Sequence, residues 1–445
     1  MDSIWKKTIR LPKFEPLRRD ICADVLVIGG GLAGLLCAHE LSRAGVHCVL
    51  AEAGRLCGGV TGNTTAKLTI QHGLIYHKLF KRLGRERTRA YLEANQAALK
   101  RIQDICLDIP CDFEEKPNYV YALDSRKELD KEMAALDKEM AALDKLGCPA
   151  DFVSETPLPF PVAGAVRLDR QAQFHPLKFA AAIAEGLQIY EHTRVLEVKT
   201  GEAATGGGTI KADHIVVATH FPFLNKFGCY WLKLYQSRSY VLALENGPDL
   251  DGMYLDQSGK GLSFRNYNGR LLLGGGSHRT GKSGGGWTEL EQFARRYYPD
   301  AKPVCRWAAQ DCMTLDGAPY IGLYSPKLPR LYTITGFNKW GMTSSMAAAS
   351  LVTDLILGRD NPYQEVFAPS RSVLHPQLAV NAGESALNLL TPTRPRCPHM
   401  GCALKYNAQE HSWDCPCHGS RFAEDGRLLD GPATGNLDHD HTKRF

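Results

Sequence analysis

The chain has 445 residues, 44% of them hydrophobic and 23% charged, with 53 Lys+Arg against 48 Asp+Glu. That balance suits a globular protein of two to three domains, and no Lys/Arg cluster with interleaved aromatics marks a nucleic-acid partner. No apolar run is long enough for a membrane span, since even Met342 to Leu357 is broken by Asp354, and a cytoplasmic protein is expected.

Asp24 to Glu52, DVLVIGGGLAGLLCAHELSRAGVHCVLAE, reads as strand, tight turn, helix and strand. Gly29, Gly31 and Gly34 form G-x-G-x-x-G: the first permits the turn, the second admits a pyrophosphate, and the third lets helix and strand pack closely. Glu52 ends the second strand about twenty residues on, where an acid takes ribose hydroxyls and disfavours a 2′-phosphate. A dinucleotide is therefore expected at the helix N-terminus.

The loop Ala53 to Lys67, with Gly59, Thr61 and Thr64, is rich in glycine and hydroxyls and can wrap a cofactor closely. Residues 76 to 112 are helical by period. In Lys127 to Gly147 the heptad KEMAALD occurs twice, which predicts a solvent-exposed helical insertion or, alternatively, a contact in a homo-oligomer. After a proline-rich stretch from Pro157 to Pro176 and a helix from Leu177 to Leu187, TRVLEVK and IKADHIVVAT read as strands returning to the first sheet. There the Val195 backbone could meet an adenine.

Strand signals fill Tyr230 to Gly275, with Asn268-Gly269 as a hairpin corner, and predict an antiparallel second domain covering the first. A helix from Trp287 to Pro299 and a strand from Leu331 to Thr335 follow. Next come Gly336, Gly341, Met342 and Thr343 in TGFNKWGMT, leading into a small-residue helix whose positive end suits an electron-rich flavin edge. Candidate catalytic groups are Arg265, whose guanidinium fork could clamp a carboxylate, and Lys339 and Trp340 beside that loop. His220, Tyr254, His278 and Gln310 are further polar candidates.

DVLVIGGGLAG, Glu52, GGVTGNTTAK, ADHIVVAT, Asp316 to Gly322 and TGFNKWGMT together resemble the D-amino-acid-oxidase/glycine-oxidase-like family of FAD-dependent oxidoreductases over roughly residues 20 to 360. The resemblance implies an α/β fold with a Rossmann-like FAD-binding domain, built from segments near 20–75, 190–225 and 330–358. An inserted antiparallel-sheet substrate domain, near 76–189 and 226–329, would lie over it. It also implies FAD in an extended pose and hydride removal from an amine or amino acid; some members attach the flavin covalently, but Cys312 is not placed on such a position and non-covalent FAD is expected.

Residues 361–392 read as a proline-bearing linker, and 393–445 as a second redox domain. Cys397-x-His399 and Cys415-x-x-His418 place one cysteine and one histidine on each of two loops. Two thiolates suit one iron of a [2Fe–2S] cluster and two imidazoles the other; zinc is the alternative, but zinc pairs are spaced differently. The segment resembles the Rieske domains of cytochrome bc complexes, here a small, truncated all-β version. That resemblance implies Cys397, His399, Cys415 and His418 as ligands, a Cys402–Cys417 disulfide, and a Gly431-Pro432-Ala433 loop over the cluster. Ser420 would be a sulfide donor; Phe422 replaces a tyrosine donor, which should lower the potential. Either Val373 to Leu390 supplies the missing strands, or the cluster loops lean on the flavin domain.

A flavin takes two electrons and such a cluster carries one. The expectation is an enzyme that oxidises a small amine or amino-acid-like substrate and passes electrons singly through the cluster to an unknown one-electron carrier. A reductase fed through the cluster, a redox-responsive binding protein without turnover, and an oxygen-using oxidase remain alternatives.

Overall fold

A computed structural model describes residues 2–123, 129–225, 227–257, 261–393 and 395–437. Residues 127 and 128 of the expected helix, and 394 and 438–445 of the expected C-terminal domain, lie outside them.

Ile21–Ile28 is the centre of the first sheet. It pairs in parallel with Thr209–Val217 on one side and Cys48–Ala51 on the other; Leu331–Thr335 and Gln188–Tyr190 extend the parallel set, and Tyr320–Leu323 joins antiparallel. The apolar run alternates faces. Val25 and Val27 pack with the helices Leu32–Arg43 and Gly341–Ile356, while Leu26 and Ile28 pack on the other side with Tyr230, Tyr320 and Tyr324. Ile28, Ala51 and Val217 thus finish at one end of the sheet, the end at which such folds bind ligands.

The second sheet has nine strands among the described residues. It runs from Lys302–Thr314 through Leu234–Glu245, Arg270–Arg279, Ser263–Tyr267, Met253–Asp256, Glu114–Leu123 and Val162–Gln173 to Lys67–Leu68, with Asp151–Val153 pairing with Val162–Gln173 off this path. Asn268 and Gly269 both take left-handed φ, 48° and 69°, and turn the expected hairpin. The proline-rich stretch conceals the strand Val162–Gln173: its prolines flank the strand, and Pro176 opens the helix Pro176–Ile183 at a position where proline is favoured.

The repeat-bearing helix Leu129–Lys145 is not a solvent-exposed insertion. Leu136 and Leu143 are fully buried, and the Glu139 carboxylate accepts hydrogen bonds from the backbone N–H groups of Tyr76 (2.8 Å) and His77 (2.9 Å). Glu139 thereby caps the long helix Tyr76–Cys106, a pairing that local periodicity cannot reveal.

Within the expected linker, Pro376–Leu390 is a helix capped by His375 and supplies no strands. The C-terminal segment is a four-stranded antiparallel meander, Lys405–Asn407, Ser412–Asp414, Arg421–Ala423 and Leu428–Asp430, around a small core of Cys397, Cys415, Leu404 and Phe422. It leans on the second sheet, where the Gln236 side-chain amide donates to the His418 carbonyl (2.7 Å) and that of Gln310 to the Gly419 carbonyl (2.8 Å). No helix among the described residues is long and apolar enough to cross a membrane.

Replacing Glu139 with alanine strands two buried amides, at a cost of about 2 kcal/mol. Thermal unfolding should show a clear drop in midpoint for Glu139→Ala and none for Asp137→Ala on the exposed face of the same helix.

Candidate functional site

At the carboxyl end of the parallel strands lies a cavity of about 1000 Å³, reaching from the glycine turn to the second sheet and on to the C-terminal domain. Gly29 has φ 111°, and a Cβ there would sit 2.6 Å from the Ala218 carbonyl oxygen. A Cβ on Gly34 would lie 1.9 Å from the Gly29 oxygen, so Gly34 serves helix–strand contact and does not line the cavity. Gly31 faces open space, with only the Thr61 hydroxyl at 3.6 Å from its would-be Cβ. Glu52 accepts from the Gly30 and Gly54 amides, each at 2.7 Å. Burial raises the Glu52 carboxyl pKa while these amides oppose the rise. Thr61 accepts from Leu32 N–H (2.9 Å), and Gly59, Thr64 and Val195 also line the cavity. The elongated space, the open approach at Gly31 and the acid on the neighbouring strand fit FAD.

At the other end, Trp340, Gly341 and Met342 open the helix Gly341–Ile356 toward the cavity, and Trp340 stacks on His72 at 5.0 Å. Asn338 and Lys339 are both held at positive φ, 51° and 76°. The Asn338 side chain locks this strained turn by accepting from Thr314 N–H (2.8 Å) and donating to the carbonyls of Gly336 (2.6 Å) and Gly317 (3.0 Å). Lys339 is exposed to the cavity, where its ammonium donates to Ser277 Oγ (2.9 Å); Ser277 meets Ser239 (3.1 Å), which approaches Asp311 (3.4 Å). Desolvation within the cavity walls lowers the Lys339 pKa and Asp311 counters it; desolvation likewise raises that of Asp311, and Lys339 and His220 counter that.

Arg265, expected to clamp a carboxylate, is fully buried outside the cavity lining and donates to the Thr65 and Ala66 carbonyls, both at 2.7 Å. It secures the end of the loop that follows Glu52. Gly336 and Thr343 also lie behind the lining: Gly336 turns with φ 77° against Thr314, and Thr343 donates to the Thr69 carbonyl (2.9 Å). Of the other polar candidates, His220 and Gln310 line the cavity and Tyr254 and His278 do not. Lys67, Asp311 and Ser277 were not singled out from the sequence, because strands far apart in the chain bring them together. Lys67 donates to Ser263 (3.2 Å), and burial with Arg265 nearby pushes its ammonium pKa down to about 7.

The two cysteine–histidine loops are built alike. Gly401 N–H donates to Cys397 O (2.8 Å) and Gly419 N–H to Cys415 O (2.9 Å), each glycine at positive φ. Cys397 lies against Cys415, and His399 Nδ1 and His418 Nδ1 face each other at 3.3 Å. Two thiols and two imidazoles in one knot, with Cys397, Cys415 and His418 buried and His399 partly exposed, fit a [2Fe–2S] cluster. The expected Cys402–Cys417 disulfide is not formed: both are free, and their sulfurs lie with that of Cys415 within 4.8 Å of one another. Ser420 Oγ accepts from Ala433 N–H (3.0 Å), and Phe422 is fully buried in the small core.

The cluster loops face the flavin part. His399 Nε2 lies 2.9 Å from Asn225 Oδ1, and the Phe221 ring lies 6.5 Å from the His399 ring and 6.2 Å from that of His418. Phe221 also lines the cavity.

Comparisons with known proteins match both halves. Residues 24–355 match the FAD dependent oxidoreductase family (DAO) and residues 370–440 the Rieske [2Fe-2S] domain. The chain is 34% identical over 498 aligned residues to the Rieske 2Fe-2S iron-sulfur protein YhfW of Bacillus subtilis (strain 168), covering 97% of this chain and 96% of that one. The cytochrome b6-f complex iron-sulfur subunit of Synechococcus sp. (strain JA-3-3Ab) is 45% identical over 42 residues, 9% of this chain and 24% of that one. In fold, the chain is similar to glycine oxidase from Geobacillus kaustophilus (TM-score 0.66, 22% identity, covering 79% of this chain and 99% of that one). It is also similar to L-proline dehydrogenase from P. horikoshii (TM-score 0.66, 17% identity, 80% and 98%).

Lys67 carries its charge into the cavity below about pH 7 and loses it above. The visible spectrum of bound FAD should therefore titrate with a step near that pH, and Lys67→Met should abolish it. In the small domain, Phe422→Tyr should raise the cluster's midpoint potential in an EPR-monitored redox titration, by offering the cluster a hydrogen bond.

Proposed function

The chain belongs to the FAD-dependent oxidoreductase family and carries a Rieske [2Fe-2S] domain, and on that footing we propose that it oxidises a small amine or amino-acid-like substrate and passes the electrons on singly. It is an enzyme with two redox cofactors. Bound FAD supplies a hydride-accepting, two-electron centre and the cluster a one-electron centre. The glycine turn, Glu52 and Val195 would hold the dinucleotide, while Cys397 with Cys415 and His399 with His418 would hold the two irons.

The observation that carries the electron route is Phe221, a buried ring forming part of the FAD cavity wall and packed against both cluster histidines. It leaves a single layer of side chain between cavity and cluster loops. The substrate end supports an amine or amino acid through its opposed charges: Lys339 and Asp311 are joined by two serine hydroxyls, a strip suited to a small polar molecule. Cysteines that are all free among the described residues fit a reducing compartment such as the cytoplasm.

Anaerobic mixing of the holoenzyme with a panel of small amines and amino acids should bleach the flavin and bring up the EPR signal of the reduced cluster. Flavin bleaching with a cluster that stays silent would sink the electron route; no bleaching across the panel would sink the substrate class.

A further inference from the structure

Part of the wall of the FAD cavity comes from the C-terminal domain, through Glu410, Arg421 and the run Leu429 to Thr434. We propose that the Rieske domain is also a closure, shutting dioxygen away from the flavin, and that Glu410 is the positioning residue that keeps it shut. The inference rests on FAD occupying this cavity, but not on the substrate or on the direction of electron flow.

Glu410 projects from the turn between Asn407 and Ser412 into the second sheet. Its carboxylate takes both arms of Arg238, with Nε at 2.8 Å, and accepts from Arg421 Nη2 (2.9 Å) and the Tyr240 hydroxyl (3.1 Å). Side-chain exposure is 6% for Arg238, 9% for Glu410 and 5% for Arg421, so water does not compete for these groups. Arg421 in turn holds Asp414 (3.0 Å) and Asp430 (3.3 Å), the latter at the start of the wall-forming run. Gln236 donates to the Gly431 carbonyl (3.2 Å), and the neighbouring Gln409 accepts from Trp287 N–H (2.9 Å). The wall-forming run is therefore tied to the flavin part directly at Gly431 and, through Asp430 and Arg421, by the Glu410–Arg238 pair.

Chemistry gives the closure a purpose. A reduced flavin reached by dioxygen loses both electrons at once, FADH⁻ + O₂ + H⁺ → FAD + H₂O₂, and those electrons never reach a one-electron carrier. A wall over the cavity favours the slower single-electron route by denying access.

The test uses the full chain with both cofactors. Collisional quenching of flavin fluorescence by iodide reports access to the oxidised protein; the rate at which the flavin reoxidises, after photoreduction with EDTA and mixing with air-saturated buffer, reports it for the reduced one. The unmodified protein should be quenched several-fold less than free FAD and reoxidise several-fold more slowly than free reduced FAD. Glu410→Ala, retaining its iron and FAD, should be quenched several-fold more than the parent and reoxidise several-fold faster. If the variant loses either cofactor, the unmodified protein decides: flavin as accessible as free FAD overturns the proposal. A cofactor-replete Glu410→Ala as well shielded as the parent overturns it too. Because EDTA under illumination supplies the electrons, an inactive amine panel leaves the test intact, whereas a preparation without flavin ends the underlying reading instead.

Discussion

A carboxylate buried between two guanidiniums from different domains fixes the relation of the two halves of this protein. Burial alone would push the Glu410 carboxyl pKa up, but Arg238 and Arg421 hold it down to about 2, so the charge is kept across ordinary pH. A bidentate arginine contact is directional as well as strong, and a buried ion missing one partner is costly. The small meander can therefore sit in few places other than the one that presents its cysteine–histidine loops to the second sheet.

That sheet serves two sites by simple alternation. Along Leu234–Glu245, Gln236, Arg238 and Tyr240 reach the C-terminal domain, and the intervening Ser239 meets Ser277 and Asp311 beside the cavity. The strand pairs irregularly with its neighbour between Arg238 and Tyr240, a departure from regular pairing at the point where both duties meet. Flavin cavity and cluster loops are thus supported by the same strands, as the proposed exchange of electrons between them would require.

Much of the fold was legible because some features are local. The G-x-G-x-x-G turn, the strand before it and the acid after it all lie within one short stretch; the Asn268-Gly269 corner needs only two residues; the cysteine–histidine loops declare themselves by spacing. What escaped is non-local. Glu139 inside a heptad repeat resembles a surface glutamate until the helix it caps is placed beside it. Arg265 invites a substrate role by residue type, yet its neighbours in space are the Thr65 and Ala66 carbonyls. Lys67, Asp311 and Glu410 carry no motif, and their partners stand on strands distant in sequence. The Cys402–Cys417 bond is implied only by a resemblance, and the two thiols are free although they lie close together.

The meander's reliance on Gln236, Arg238 and Gln310 has a consequence for biogenesis. Ribosomes deliver this chain N-terminus first, and domains generally fold in that order. The docking strands are therefore complete before the cysteine–histidine loops emerge, so this later segment meets a finished platform and the iron-binding loops need not wait, unsupported, for a scaffold to form.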